Sequence, residues 1–269
     1  MIDMRNKAIK AFKKYSNRYD VADIKIKLKI DHTYRVAEIA GQIGVSVGAD
    51  PDFAWLLGLL HDIGRFEQLT QYGTFKDAES VDHAELGADI LFHDGLIGDF
   101  PEEFFVIPGA DGGESERRKM AETAIRLHNK LTLSEGLDAD TLLYCKVLRD
   151  ADKTDIMRVL TEPPYDERNG RIIKCSGDGT EPPAREDVMR CVHEHRCVPK
   201  TFERTDFESL ISQCCMCFEL EYPVSRKIVR KQGYLDILMN LAVQNETMKQ
   251  QLATLRSEMK QAWDYGRKP

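Results

Sequence analysis

The chain has 269 residues and a formal net charge of −7, with 42% hydrophobic and 31% charged residues. This composition can supply a sizeable core and excludes a wholly disordered protein. The acidic balance argues against non-specific nucleic-acid binding, which needs cations laid along a phosphate backbone. It leaves room for a small phosphorylated ligand, because one local cationic pocket can hold such a molecule.

The cysteines and the apolar runs indicate the cellular compartment in which we expect the protein. The chain has 7 cysteines, an odd number, and no secretory signal precedes them. Its longest apolar run, FAWLLGLL, is far shorter than the roughly 18 residues that a membrane span needs. We therefore expect a soluble, cytoplasmic protein with reduced cysteines and no membrane partner.

Apolar residues recur at helical spacing along most of the chain. An N-terminal helix is expected within residues 1–25, and the segment HTYRVAEIAGQIGVSVG follows with the same spacing. The step Asp50-Pro51 begins a further helix, since proline is tolerated in a first helical turn. Three more helices are predicted in DHAELGADILF, in MAETAIRLHNK and in DTLLYCKVLRDADKTDIMRVL. No alternating stretch is long enough for a sheet, so the predicted fold class is all-α.

Two segments interrupt this pattern. Gly95–Arg118 is rich in proline and glycine and is predicted to be a long surface loop or an insertion. Thr161–Pro183 is predicted to end the first helical unit. Helices are expected again from Glu186 to about Gly233. The tail Tyr234–Trp263 is predicted to be one long amphipathic helix whose apolar stripe packs on the core or on a second subunit, as in a homodimer. The stripe comprises Leu235, Leu238, Leu241, Met248, Leu252 and Leu255.

Histidine and aspartate residues are scattered over successive predicted helices. These residues are His32, His61, Asp62, His83, His128 and Asp152. His61 and Asp62 end an apolar helix, where polar groups are costly unless something satisfies them. Imidazole and carboxylate together suit zinc, manganese, iron or nickel, and ligands on separate helices fit a site inside a bundle. The spacing alone leaves a metal site and a structural role about equally favoured.

The sequence motifs around these residues resemble those of a known family. His32, then His61-Asp62 in LLHDIGRFEQ, then Asp152 in RDADK are similar to the H…HD…D signature of HD-domain metal-dependent phosphohydrolases. DHAELGADIL around His83 and AIRLHNK around His128 resemble the two further histidine motifs of members that hold two metals. The resemblance covers about residues 26–160, and FELEYPVSRKIVRKQGYLD resembles a bacterial branch of the same superfamily.

The resemblance implies two sets of metal ligands that share Asp62. His32, His61, Asp62 and Asp152 would hold a first divalent ion, and Asp62 would bridge to a second ion held by His83 and His128. One or two ions of manganese, iron, nickel, zinc or magnesium are implied. The chain departs from the family pattern at Asn129, where some dinuclear members carry the second of two adjacent histidines.

The resemblance also implies a reaction. Metal-activated water would cleave a phosphoester of a nucleotide or a similar small phosphorylated metabolite, with Asp62 at the reacting centre. Arg65 and Lys153 stand beside the metal motifs and are predicted to contact the substrate phosphate as catalytic and substrate-binding cations. Asp150 and Asp155, which flank Asp152, are expected to support the ligands or cap helices.

Two other functions remain open at this stage. Mixed-valent di-iron oxygenases resemble the same ligand list, with four histidines and two aspartates on the same scaffold. A nucleotide sensor without catalytic activity is the third alternative. For the chain as a whole, we predict an HD-type helical bundle at residues 26–160 and a helical extension at 161–269 packed on it.

Several other motifs are expected to carry no chemistry. CVHEHRC holds two cysteines and two histidines, but one helix cannot aim all four at one tetrahedral ion. QCCMCF is expected to be a set of buried free cysteines. His93, His193 and His195 are expected to be surface residues.

Overall fold

The computed structural model describes residues 2–106, 113–162, 181–199 and 204–265. All regular secondary structure in these residues is helical, which confirms the all-α prediction. The chain divides into two compact units, Met1–Asp152 and Lys153–Pro269. The predicted domain limits, and the docking of a C-terminal extension on the metal-binding domain, stay predictions.

Seven α-helices build the described part of the first unit, and the last of them continues into the second unit. They are α1 (Ile2–Ser16), α2 (Ile24–Val47), α3 (Pro51–Leu60), α4 (Ile63–Tyr72), α5 (His83–Ala88), α6 (Gly113–Leu127) and α7 (Ala139–Thr161). A π-helical turn, Asp89–His93, extends α5, and short 3₁₀ turns lie at Asp77–Glu79, Leu96–Asp99 and Glu102–Phe104.

Helices α2 and α3 form the centre of this unit. Asp50 caps α3 by accepting hydrogen bonds from the backbone N–H groups of Asp52 and Phe53, and Pro51 occupies the first turn, as the sequence predicts. The helices approach so closely that a Cβ at Gly58 would lie 2.6 Å from the Cα of Ala37. The apolar α3 is therefore central because both its composition and its one glycine favour close packing.

The prediction of a surface loop at Gly95–Arg118 is wrong for the helical parts of the segment and for its buried phenylalanines. Phe100, Phe104 and Phe105 are buried, and Phe104 stacks on Trp55 at a centroid distance of 6.4 Å. Helix α6 already begins at Gly113. The proline and glycine residues mark turns, but the aromatic rings between them gain enough from burial to anchor the segment. Residues 107–112 lie outside the described residues.

Five further α-helices make up the described part of the second unit. They are α8 (Glu186–His193), α9 (Asp206–Cys215), α10 (Pro223–Gln232), α11 (Tyr234–Met239) and α12 (Glu246–Tyr265). Thr205 and Glu208 form a reciprocal capping box at the start of α9. The prediction of helices from Glu186 to Gly233 is confirmed. Most of the predicted break at Thr161–Pro183 lies outside the described residues.

The C-terminal tail is two helices, so the prediction of one long helix is wrong. Helix α11 ends at Met239, and α12 begins at Glu246 after Asn245 Oδ1 accepts hydrogen bonds from the backbone N–H groups of Thr247 and Met248. Asparagine favours such a cap over a helix interior. Five of the six stripe residues are buried in the core of the second unit, and Leu241 is partly buried there. A homodimer stays a prediction.

Cysteines and the remaining histidines have ordinary surroundings. None of the six described cysteines forms a disulfide, and all except Cys197 are buried, which confirms the expectation for QCCMCF. His93 and His193 are exposed, but the expectation for His195 is wrong, because this side chain is buried and its Nε2 lies 2.7 Å from Glu258 Oε2. Among the described helices, none combines the length and apolarity needed to cross a membrane.

Candidate metal centre

The first unit brings the six predicted ligands together from five places in the chain. His32 lies in α2, His61 and Asp62 link α3 to α4, His83 begins α5, His128 directly follows α6, and Asp152 lies in α7. Five of the six are buried, and the side chain of Asp152 is 21% exposed. The ligands divide into two groups around Asp62.

The first group is the Asp152 side, comprising His32, His61 and Asp152. Asp152 Oδ1 lies 3.2 Å from His32 Nε2 and 3.8 Å from His61 Nε2. Asp62 Oδ2 lies 3.7 Å from His32 Nε2 and 3.4 Å from His61 Nε2. Two carboxylates and two imidazoles therefore face one small volume.

The second group is the His83 side, comprising His83 and His128. Their Nε2 atoms are 3.1 Å apart. Asp62 Oδ1 lies 3.6 Å from His83 Nε2 and 4.0 Å from His128 Nε2. Asp62 thus turns one carboxylate oxygen toward each side, which is the arrangement a bridging ligand requires.

Hydrogen bonds fix the tautomers of three of these histidines. Nδ1 of His61 lies 2.7 Å from Gly58 O, and Nδ1 of His128 lies 2.7 Å from Ile125 O. A carbonyl oxygen only accepts, so both Nδ1 atoms carry hydrogen and donate it. Nδ1 of His83 lies 2.9 Å from both oxygens of Asp77, which likewise accept. In the neutral rings, each Nε2 is therefore left as a lone pair aimed at the centre.

The charge state of the His83 side makes this geometry informative. Burial lowers the pKa of His83 to about 4 and that of His128 to about 3, so both rings are neutral at pH 7. Two unprotonated Nε2 atoms only 3.1 Å apart cannot hydrogen-bond to each other. A cation between them satisfies both lone pairs.

The ligands fit divalent metal ions. Two ligands of one ion bound at about 2.1 Å stand about 3.0–3.5 Å apart, which is close to most of the separations found here. His61 Nε2 is buried and has no hydrogen-bond partner within the described part of the chain. The described residues offer the groups His32–His61–Asp62 and Asp62–His83–His128 as possible metal sites. A shared Asp62 and neutral imidazoles suit zinc, manganese, iron or nickel.

The carboxylates of the centre are ionised, as metal ligation requires. Burial alone would raise the pKa of Asp62, but Lys29, His61 and Arg65 hold it well below its usual range. Burial likewise opposes ionisation of Asp152, and the hydrogen bond from His32 and the nearby imidazoles lower its pKa below the ordinary value. Both groups are therefore available as anionic ligands at neutral pH.

Comparison with known families decides what kind of domain this is. Residues 30–157 match the HD domain. The protein contains an HD domain. The match runs from α2 into α7 and includes all six ligands, which agrees with the resemblance read from the motifs. HD domains belong to a superfamily of metal-dependent phosphohydrolases. No curated protein and no solved structure matches the chain.

A close backbone contact at Gly64 brings the two sides of the HD centre together. Gly64 follows Asp62 by two residues and packs against α5, where a Cβ would lie 2.2 Å from His83 O and 2.6 Å from Gly87 N. Only a residue without a Cβ permits this approach. The backbone contact between α4 and α5 therefore holds Asp62 close to His83.

The predicted cations are placed differently. Arg65 Nη1 donates to Gln68 Oε1, Phe75 O and Asp77 Oδ1, and Arg65 Nε lies 3.6 Å from Asp62 Oδ1. Lys153 belongs to the second unit, where its Nζ donates to Glu219 Oε2 at 2.6 Å. Contact of either side chain with substrate stays a prediction. Asp150 and Asp155 are buried in α7, and their supporting roles also stay predictions.

Sequence reasoning missed two residues at this centre. Lys29 is buried in α2 and donates to Asp62 Oδ2 at 2.7 Å; its place three residues before His32, on the same helix face, was a signal for it. Asp77 holds Nδ1 of His83 from a 3₁₀ turn, and no periodicity marks it. Asn129 at the departure from the family pattern donates to Asp82 Oδ1 at 2.7 Å and Asp77 Oδ2 at 3.3 Å.

Proposed function

We propose that the protein is a metal-dependent phosphohydrolase that cleaves a phosphoester of a nucleotide or a similar small phosphorylated metabolite. The observation that carries this proposal is the position of Asp62. One of its oxygens faces His32 and His61, and the other faces His83 and His128. This arrangement suits two divalent ions that share one carboxylate.

The chain supplies ligands, orientation and a shielded site. His32, His61, Asp62 and Asp152 would hold one ion, and Asp62, His83 and His128 would hold the other. Bound divalent ions supply Lewis acidity, which lowers the pKa of water and offsets charge on phosphoryl oxygens. Burial of the ligands strengthens every charge interaction at the centre, because the surrounding dielectric is low.

Two cations are proposed to orient the phosphate. Arg65 is anchored through Nη1, while its buried Nε has no hydrogen-bond partner among the described residues. A guanidinium held in this way presents a fixed donor to an oxyanion. Lys153 directly follows Asp152 in α7, and we include it as the second cation on the strength of that position.

A metal analysis followed by a phosphoester panel tests this function. The protein as isolated is expected to contain a divalent transition metal and, with that metal restored, to release phosphate or a nucleoside monophosphate from at least one nucleotide. Asp62→Ala should lose both metal and turnover, whereas His93→Ala, an exposed histidine, should lose neither. An active, metal-free Asp62→Ala protein would reject the proposal.

The same panel separates the alternatives. An iron-loaded sample is examined by anaerobic electron paramagnetic resonance, since the six ligands also suit a mixed-valent di-iron oxygenase. Turnover that requires iron and oxygen would replace hydrolysis by that activity. Nucleotide binding without turnover under every metal would favour a sensor.

A further inference from the structure

A buried lysine lies at the metal centre and has no part in the ligand set. Lys29 Nζ donates to Asp62 Oδ2 at 2.7 Å, and the Lys29 side chain is 11% exposed. Burial of an ammonium group costs several kcal/mol unless an anion accompanies it. Asp62 is that anion, and within the described residues no second carboxylate lies within ion-pair distance of Lys29.

The partner of Lys29 is the oxygen that faces the Asp152 side. Asp62 Oδ2 also lies 3.4 Å from His61 Nε2 and 3.7 Å from His32 Nε2. An ion held by these two histidines would therefore take the same oxygen that Lys29 now contacts. Two cations at one oxygen repel each other, and the repulsion is strong in a buried site. Lys29 and a metal ion thus compete for Asp62.

Once a metal ion takes Asp62, the Lys29 ammonium can remain beside an aromatic ring. The described residues offer it no second carboxylate. Its Nζ lies 5.5 Å from the centroid of the Phe75 ring, and the guanidinium carbon of Arg65 lies 5.7 Å from the same ring. The aromatic ring stabilises cations without neutralising them. The centre with two divalent ions would be strongly cationic, because Asp62 and Asp152 are the only anionic ligands in the proposed set. An added anion is what this charge distribution demands.

We propose that Lys29 is an anion-binding residue of the centre, which neutralises Asp62 before metal binds and contacts a phosphate oxygen once metal has taken Asp62. The identity of the anion rests on the proposed phosphohydrolase function. Lys29 then keeps the metal-free protein folded around a buried carboxylate and adds affinity for the substrate phosphate. In these two roles, the charge of Lys29 lowers the affinity of the centre for metal and raises its affinity for phosphate.

Titration of the full chain with two probes tests this exchange. Lys29→Met keeps the length of the side chain and removes its charge, and Lys27→Met is the matched control, since Lys27 is 62% exposed on the same helix and pairs with Asp31. Calorimetry measures Mn²⁺ binding to chelator-treated protein and inorganic phosphate binding to Mn²⁺-loaded protein. We expect Lys29→Met to bind Mn²⁺ about tenfold more tightly and phosphate about tenfold more weakly. Lys27→Met should change neither affinity.

The sign of the two changes separates this role from a structural one. A purely structural Lys29 would weaken both affinities on replacement, and an unchanged phosphate affinity would also overturn the proposal. Lys29→Arg keeps the charge and should restore phosphate binding, which keeps the test decisive if Lys29→Met fails to fold. These titrations need no turnover, so the opposite changes can appear even in a protein that hydrolyses no phosphoester. In that case only the hydrolase proposal fails.

Discussion

The two sides of the centre are held in different ways. The Asp152 side contributes a carboxylate of its own, and its anchored histidine, His61, donates Nδ1–H to the main-chain oxygen of Gly58. Among the described residues, Asp62 is the carboxylate that faces Nε2 of His83 and His128, and His83 depends on the side chain of Asp77 for its orientation. From this difference we expect the Asp152 side to be the stronger of the two proposed metal sites and the His83 side to be the easier one to lose.

Replacing one histidine on each side tests whether the sides bind metal independently. Asparagine is a suitable replacement, because its amide can still donate to the carbonyl that holds Nδ1 but offers no Nε2. We expect His61→Asn and His128→Asn each to retain about one ion instead of two, and to lower kcat about 10²–10³-fold. Metal analysis and turnover measurements check this expectation.

Independence of the sides would be rejected if either variant lost all of its metal. Asp62→Asn supplies the reference for complete loss, since it removes the shared ligand. His93→Asn is the control for an exposed histidine and should keep wild-type metal content.

Removing the carboxylate behind His83 should sharpen the contrast. Asp77→Ala takes away the acceptor of the His83 Nδ1 hydrogen bond, and such supporting groups are typically worth about 10–100-fold in metal affinity. We expect a loss of this size for the weaker Mn²⁺ site in calorimetry, with the tighter site changed less. An equal loss at both sites would mean that Asp77 acts on the whole centre rather than on His83.

Packing at Gly64 gives a smaller effect that is confined to the contact between α4 and α5. Gly64→Ala places a Cβ against His83 O and Gly87 N, so the helices must separate. We expect the free energy of unfolding to fall by about 1–3 kcal/mol. Gly98→Ala is the matched control, because a Cβ there meets nothing within 4 Å. Urea denaturation compares them, and equal stabilities would contradict the steric role of Gly64.

Acid should weaken the metal-free protein through the His83 side. The pKa values of His83 and His128 in the folded protein, about 4 and about 3, lie below the ordinary histidine value of 6.5. The unfolded chain therefore binds more protons between pH 6.5 and about 4, so the free energy of unfolding falls as the pH falls through this window. Urea denaturation at several pH values measures the slope. His128→Asn should flatten it, and an unchanged slope would contradict this origin.

The sequence predicted which histidines and aspartates come together in the fold far better than it predicted the residues that support them. His61, Asp62 and Asp152 lie in recognisable sequence motifs. They come together because the helices that contain them converge on one core. Lys29 escaped notice because it acts on Asp62, which is distant in sequence, and Asp77 escaped notice although it lies only six residues before His83. A residue in a 3₁₀ turn has no periodicity that points to His83.

The errors in predicting helices and loops have two different physical causes. The segment Gly95–Arg118 looked like a surface loop because proline and glycine outweighed its phenylalanines in the interpretation, yet the rings are buried. The C-terminal tail looked continuous because its apolar stripe runs through, but Asn245 caps a new helix within it. In the first case burial overrode a local signal, and in the second a local cap interrupted a stripe that is buried as predicted.

The oxygens that accept hydrogen bonds from the histidine Nδ1 atoms also determine how random mutation would affect the centre. The oxygens that orient His61 and His128 belong to the main chain, so no substitution at Gly58 or Ile125 removes them. The acceptor behind His83 is a side chain, and a single codon change at Asp77 abolishes it. We therefore expect a lineage under relaxed selection to lose the proposed metal site on the His83 side before the one on the Asp152 side.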